Sequence, residues 1–533
     1  MPVGGNTCEA SAAAPVIQER SICRLPSANA PSDRFYLAQR FIRGVTWHTL
    51  AVIGSRGMVL LAMFAAARLL GRERTGQLGM LQSTLNLFGV LAMAGLGVVT
   101  TRVVGAWRTK DPLYAARMIR SARWLSLWTA SSLSLLCFIS SPWLASSWLG
   151  TPELLGPLIV TSAMVFCTTQ QGVFQAVLNG CEAFRWAGLM NLLGGLALLL
   201  GVVSGAACGG LLGTMIGMLL AQALHCLLSW TALRAVMAQQ GLPWHTKVIR
   251  SEVQDLLRQT LPLAISTSSV IPAEWLALSW LSQTEGGYSQ TGLYSAASQW
   301  FNALMLIPLI SGQVALPVLS ERWQQRDRNG FVRVMGLAWL MNLLLLLPLV
   351  LAGSWWSKQV MGLMGVEFIE GAHVLTTLLL ALVVIACQTP VGHALHASGR
   401  SHVASVMNLA WAGCYLGLAS WWLPAGAVGI ARARLGAYCL HTVWVGSYVL
   451  WQAWRWQAPE AHHAHASTPS DITSRPPDTL LNAVSQPKLH NPGEDFAPIS
   501  EGKAGSLSDP LMTSTTDILH KQIPGSSTIR RVA

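Results

Sequence analysis

Twelve stretches of this chain are long and apolar enough to be helices crossing a bilayer. Hydrocarbon about 30 Å thick takes about 20 residues of helix. Scanning at that length gives 43–68, 78–100, 123–147, 154–179, 185–206, 208–234, 257–281, 291–318, 332–354, 370–396, 402–422 and 426–451. Composition supports lipid as the solvent. Only 11% of the 533 residues are charged, against about 25% in a soluble domain. So few charges cannot cover a surface facing water. The 23 Trp suit the headgroup layers. The expected fold is an all-α integral membrane protein.

Orientation follows from the basic residues between spans. With the amino terminus inside, the inner connections and arm hold 21 Lys and Arg and the outer ones hold 4: Arg68, Arg72, Arg74 and Lys358. That bias places both termini in the cytoplasm. The net charge of +12 is clustered in this way, which argues for membrane orientation and against nucleic acid. Residues 1–40 lack the apolar run of a cleavable signal peptide and read as a flexible cytoplasmic arm. Residues 457–533 are rich in Ser, Pro, Thr and Asp and read as a disordered cytoplasmic tail. The ten Cys contain no CxxC pair and lie mostly in apolar runs, so no disulfide framework or metal site is expected. His462, His463 and His465 in the tail lack the Cys or carboxylates that would make them a metal site.

The two halves of the spanning region match each other. At a shift of 216, "TGQLGMLQS" from Thr75 falls on "TGLYSAASQ" from Thr291. At 217, Gln171 falls on Gln388, and Met190-Asn191 on Met407-Asn408. At 215, Gly150 and Gly156 fall on Gly365 and Gly371. Six helices followed by six more, both sets starting inside, are parallel repeats around a central cavity, an arrangement found in transporters. The expected units are 41–240 for the first bundle and 241–456 for the second. Gly209, Gly213 and Gly217 have the small-xxx-small spacing of close helix approach. Pro262, Pro272, Pro308, Pro317 and Pro390 predict kinks within the seventh, eighth and tenth spans.

The connector "ARLLGRERTG", Ala67 to Gly76, then Gly95-Leu96-Gly97 and Arg102, resembles the amino-terminal signature of Wzx-type oligosaccharide flippases. "VMGLMGVEFIEGAHVL", Val360 to Leu375, is similar to that family's Gly-x-Glu-aromatic entry to the tenth helix, with Glu367 as its acid. The resemblance covers about residues 40–455. It implies the multidrug/oligosaccharidyl-lipid/polysaccharide (MOP) exporter superfamily, with two six-helix bundles, a central cavity and alternating access. It also implies structural roles for Arg68, Gly71, Gly76, Gly95 and Arg102. The substrate it implies is an undecaprenyl-pyrophosphate-linked oligosaccharide, moved across the bacterial inner membrane for O-antigen, capsule or exopolysaccharide synthesis.

Moving a pyrophosphate and sugars past hydrocarbon needs a polar, cationic cleft. Arg56 lies near the middle of the first span in "GSRGM". Glu274 lies in the seventh, at similar depth, because Arg56 shifted by 216 falls on Pro272. The two are expected to form a structural ion pair, a phosphate site with a proton-sensitive partner, or both. Arg432 and Arg434 open the twelfth span and, two residues apart, point to different sides. His393 and His396 share a face near the inner end of the tenth span. His48, His225 and His441 read as lone core histidines, and the recurring Gln171 and Gln388 as helix-packing amides. The cavity candidates are therefore Arg56, Glu274, His393, His396, Arg432 and Arg434.

Two other classes stand beside the flippase. A drug or metabolite antiporter of the same superfamily shares the architecture. An integral membrane glycosyltransferase or polymerase would need catalytic groups in sizeable outer loops, and the outer connections here are short. No P-loop for ATP is present. No catalytic residue, metal or bound cofactor is expected, and coupling to a proton or sodium ion stays open. The expected partners are the lipid-linked oligosaccharide, membrane lipids, and a polysaccharide polymerase with its chain-length machinery.

Overall fold

The computed structural model describes residues 31–455, apart from 94, 268–269, 326 and 398–400. The tail at 457–533 lies outside the described residues. Helix already begins at Pro31, within the stretch expected to be a loose arm. The long elements are α1 (Pro31–Met93), α2 (Leu96–Trp107), α3 (Pro112–Trp143), α4 (Leu155–Gly180) and α5 (Phe184–Gln239). Then follow α6 (Arg250–Thr267), α7 (Val270–Ser282), α8 (Gly287–Leu304), α9 (Leu306–Gln324) and α10 (Arg328–Trp355). A short α11 (Ser357–Gly362) leads to α12 (Ala372–Ala397), α13 (Ser401–Trp422) and α14 (Gly426–Arg455).

Two of these helices are hairpins. In α1, residues 19 apart in a straight helix would sit about 28 Å from each other. Yet the Gln82 side-chain amide donates to the Met63 sulfur at 3.1 Å. The chain reverses at Gly71, where φ is 76° and ψ 176°. In α5 the reversal is at Gly209 and Gly210, the latter with φ 55°. Past it, Gly213 packs on Gly205 and Gly217 on Gly201, so closely that a Cβ on either would overlap the opposing carbonyl. The small-xxx-small expectation thus holds for Gly213 and Gly217, while Gly209 is part of the turn.

Among the described residues, eight continuous runs are long and apolar enough to cross a membrane. Three of them, Trp47–Met93, Phe184–Gln239 and Val403–Val449, each reverse at a glycine and so cross twice. The pair α6 and α7 adds another pass, which makes twelve. The second pass is interrupted at Gly95, φ 79°, and continues as α2 to Trp107. The eighth is interrupted at Met305, between α8 and α9, three residues before Pro308. Pro308 has no N–H to give the carbonyl one turn earlier, so the ladder breaks there.

The six hairpin turns at one end of the bundle all use a left-handed glycine. They are Gly71, Gly150 and Gly210 in the first half, and Gly286, Gly365 and Gly426 in the second. The offsets are 215, 215 and 216 residues, the shift at which the sequences align. The repeat is therefore one of backbone geometry as well as of residue type. At the opposite end side chains cap the helices. Asp111 accepts from the Tyr114 N–H at 2.9 Å, and Asp327 from the Gly330 N–H at 2.8 Å. That bond, with Arg322 beside it, holds the Asp327 carboxyl below the usual carboxylate range.

The surface is apolar, as a lipid-facing one must be. Trp143, Trp355, Trp356 and Trp421 are exposed at the glycine-turn end, and Trp47, Trp107 and Trp451 at the other. These are the two aromatic belts of a spanning protein.

The glycine contacts give a test of the packing. Gly213→Leu or Gly217→Leu should destabilise by about 1–3 kcal/mol through overpacking. Gly209→Ala, which meets open space, should be tolerated. Thermal unfolding of the detergent-solubilised variants measures both, and equal melting of all three would contradict the close approach.

Candidate functional site

The two halves meet along α1 and α8. Gly76 and Gly292, equivalent at the 216 shift, face each other across this seam. A Cβ on Gly76 would strike the Tyr288 carbonyl, and one on Gly292 the Arg72 carbonyl. Tyr288 is itself Arg72 shifted by 216. Gly79 likewise faces its equivalent, Ser295. The seam therefore lies on the axis relating the repeats, and Gly76 lets the backbones touch there.

At the glycine-turn end, "ARLLGRERTG" grips the second half. Arg68 Nε donates to the Leu363 carbonyl at 2.8 Å. The Arg72 N–H donates to Glu367 at 3.1 Å, its Nε to the Ser289 carbonyl at 3.2 Å, and its Nη1 pairs with Glu370 at 2.5 Å. The two signature segments thus hold each other. The equivalent contact from the second half is Tyr288 OH to the Leu149 carbonyl at 3.1 Å. Glu367 stands out as the acid of its motif while Glu370 does not, because no sequence spacing reports a contact 298 residues away.

The opposite end is bridged too. Arg102 Nη2 donates to Gln259 at 2.7 Å, and Arg117 pairs with Glu252 at 2.8 Å. Both contacts join α2 or α3 to α6. Arg102, expected as a signature residue, is therefore a cross-half contact. Gly95 supplies the left-handed break before α2.

Between the two ends the seam is tight below the grip. A cavity of about 10 Å³ remains there, lined by Met63, Ala67, Thr75, Gln82, Gln299 and Met364 among others. That is room for about one water. Arg56 stands 7 residues before Met63 and 11 before Ala67. At 3.6 residues per turn these lie within about 20° of one face. Arg56 is therefore on the helix face that further along lines the seam. It is exposed and makes no ion pair or hydrogen bond among the described residues. Next to it, a Cβ on Gly57 would meet open space.

Glu274 does not pair with Arg56. Its partner is Arg434, whose Nη2 lies 2.6 Å from Oε1. Arg434 Nη1 also reaches Tyr294 OH at 3.3 Å, and its guanidinium carbon lies 4.3 Å from the Phe301 ring centre. The side chains are 10% and 29% exposed, so this is a largely buried pair within the second half. Depth alone suggested the wrong partner. The second half supplies its own cation to Glu274 from α14, which packs against α7. Arg432, on the other side of α14, is exposed. The side chains of His393 and His396 lie outside the described residues.

The chain matches the profile of the family described as "Polysaccharide biosynthesis protein" over residues 41–323, more than half its length. It belongs to that family. A short stretch is also similar to the "EPS I polysaccharide export inner membrane protein EpsE" of two bacteria. Identity is 38% over 88 residues with that of Ralstonia solanacearum and 36% with that of Ralstonia nicotianae. Each match spans 16% of this chain and only 20% of the relative. Among solved structures, an inward-facing MATE multidrug transporter of the MOP superfamily superposes with a TM-score of 0.62 at 17% identity. That match covers 74% of this chain and 94% of the transporter. The lipid II flippase MurJ, in an inward closed conformation, gives 0.62 at 12% identity, covering 76% and 87%. The chain thus has the MOP-transporter fold.

Within this family member the repeat also organises residues that looked isolated. Gln171 Nε2 lies 3.3 Å from His225 Nε2, and Gln388 Oε1 lies 2.9 Å from His441 Nδ1. His225 falls on His441 at a shift of 216. Each half thus ties its fourth helix to its sixth with the same amide–imidazole pair. The common offset was the available signal that neither histidine is lone. Beside the second pair lies a cavity of about 200 Å³, bordered by Gln388, Trp411, Tyr438 and His441 among others.

Two outcomes check these assignments. Removing one member of the buried pair, by Glu274→Gln, leaves Arg434 uncompensated and should cost about 3–5 kcal/mol. Glu274→Leu with Arg434→Met should recover most of that loss, read as protein abundance and melting temperature. The grip is partly exposed, with Glu370 72% accessible, so it is worth about 1 kcal/mol or less. Arg72→Ala with Glu370→Ala should leave abundance near normal yet speed thiol labelling of Gln299→Cys by up to about fivefold. Unchanged labelling would deny the grip a part in closing this end.

Proposed function

We propose that this protein is a flippase for an undecaprenyl-pyrophosphate-linked oligosaccharide. It would move that lipid across the inner membrane by alternating access, for assembly of O-antigen, capsule or exopolysaccharide. Both termini would face the cytoplasm, so that the glycine turns face outward. The observation that carries the reading is Arg56. An unpaired cation at mid-depth is costly in hydrocarbon and acceptable where an anion comes to it. A pyrophosphate crossing between the halves is such an anion, and its polyprenyl tail can stay in the bilayer. The family and the fold support this reading, as does the name of the EpsE relatives.

The seam contacts fit the same cycle. Partly exposed contacts bridge the halves at the glycine-turn end, and the Arg102–Gln259 bond with the more buried Arg117–Glu252 pair bridges them at the other; alternating access requires that each set open in turn. The buried Glu274–Arg434 pair is read as a fixed part of the second half, next to the cleft. His393, His396 and Arg432 stay as candidates for contact with the sugars or phosphate.

Surface polysaccharide, normalised to protein level, tests this. Loss of a charge-assisted hydrogen bond is worth about 1.5–3 kcal/mol. Arg56→Ala should then lower export by about tenfold or more at normal abundance. Arg56→Lys should keep part of it, because a point charge still holds phosphate without the planar fork. Normal export by a well-expressed Arg56→Ala protein would remove Arg56 from the substrate path. A drug or metabolite antiporter would instead leave surface polysaccharide intact when the gene is deleted.

A further inference from the structure

A second cluster of arginines lies outside the seam, on the flank of the first half. Arg123 stacks on Trp244 with its guanidinium carbon 4.2 Å from the ring centre. Arg234 stands 4.9 Å from Trp230 and 5.4 Å from the same Trp244. Two cations thus share one indole, and Arg120 is close enough to repel Arg123 electrostatically. None of the three makes an ion pair or hydrogen bond through its side chain among the described residues. Their neighbours at this end are different. Arg102 holds Gln259, Arg108 holds Glu182 at 2.7 Å, and Arg117 holds Glu252. Three guanidinium groups crowded together without a carboxylate repel one another, and cation–π stacking on Trp244 offsets only part of that.

The cluster sits where two lipid-facing stripes end. On α3, Trp124, Leu127 and Trp128 are exposed; Arg120 precedes Trp124, and Arg123 precedes Leu127, by about one turn. On the returning part of α5, Leu220, Leu224 and Leu227 are exposed, and Arg234 follows Leu227 by two turns on the same face. Helix α4 packs against both α3 and α5 and lies between them. Apolar faces leading to unpaired cations, with tryptophans at the boundary, match a lipid's acyl chains leading to its phosphate.

We propose that Arg120, Arg123 and Arg234 form a binding site for the phosphate headgroup of an anionic phospholipid, its acyl chains lying along α3 and α5. The site is separate from the seam and needs no opening of the two halves. Bound lipid would cancel the repulsion and tie α3 to the last turns of α5 through Trp244.

Native mass spectrometry of the purified full chain tests this, with phosphatidylglycerol and phosphatidylcholine offered in competition. The intact protein should retain phosphatidylglycerol selectively. Arg234→Gln, at an exposed residue that makes no ion pair or hydrogen bond among the described residues, should weaken retention about fivefold, and Arg123→Gln with Arg234→Gln about 25-fold, at roughly fivefold per arginine near the headgroup layer. Lys110→Gln, at an exposed residue of the same end, should leave retention unchanged. The melting temperature of each variant without added lipid shows that folding is intact. Equal retention of phosphatidylcholine, or wild-type retention by the folded Arg234→Gln protein, would overturn the site. Displacement of phosphatidylglycerol from this cluster by far lower concentrations of a polyprenyl diphosphate would overturn the phospholipid assignment and give the cluster to the carrier lipid.

Discussion

A chain in hydrocarbon has no water to satisfy its peptide groups, and each unmet N–H or C=O costs several kcal/mol. Every pass must therefore be helical, and the chain turns only at the ends. Where the chain reverses, a residue at positive φ sharpens the turn, and glycine takes that conformation without steric cost. The six left-handed glycines at one end follow from that demand. Because the two halves share their turn geometry, they also share an axis. On that axis Gly76 and Gly292 allow the backbones to meet.

Charge is then distributed by depth and exposure. At the glycine-turn end it is spent on contacts between halves that water can screen, and these are cheap to break; at the other end the Arg102–Gln259 bond is exposed while the Arg117–Glu252 pair is largely buried. Inside the second half, Glu274 and Arg434 are largely buried and held at 2.6 Å, so separating them is costly. The glycine-turn end is therefore the one where the halves part most cheaply. Arg56 belongs to neither group. It has no carboxylate partner among the described residues, and it lies on the face of the first helix that leads into the seam.

Much of this was legible in advance. Twelve passes follow from apolar length, because lipid thickness is a fixed ruler. The repeat is visible in offsets of 215–217 residues, and the same offsets recur in the turn glycines. The spacing of Gly213 and Gly217 announced a close helix pair, because small residues at four-residue spacing have one main physical use in a membrane. The signature around Gly71 and the one around Glu367 were each recognisable, but their contact with each other was not.

The sequence by itself determined which segments cross the bilayer, that they do so in two matching sets of six, and where the chain reverses. Those properties depend on local composition and on hydrocarbon thickness, and both can be read along one strand of text. Tertiary structure alone decided which charges meet. Arg56 and Glu274 share a depth, yet Glu274 turns to Arg434 on α14. Arg72 finds Glu370, and Arg120, Arg123 and Arg234 find no carboxylate among the described residues. Depth is one coordinate, set by position along a helix. Pairing needs the other two, the rotation of each helix and its neighbours in the bundle, and packing of the whole set of side chains decides those.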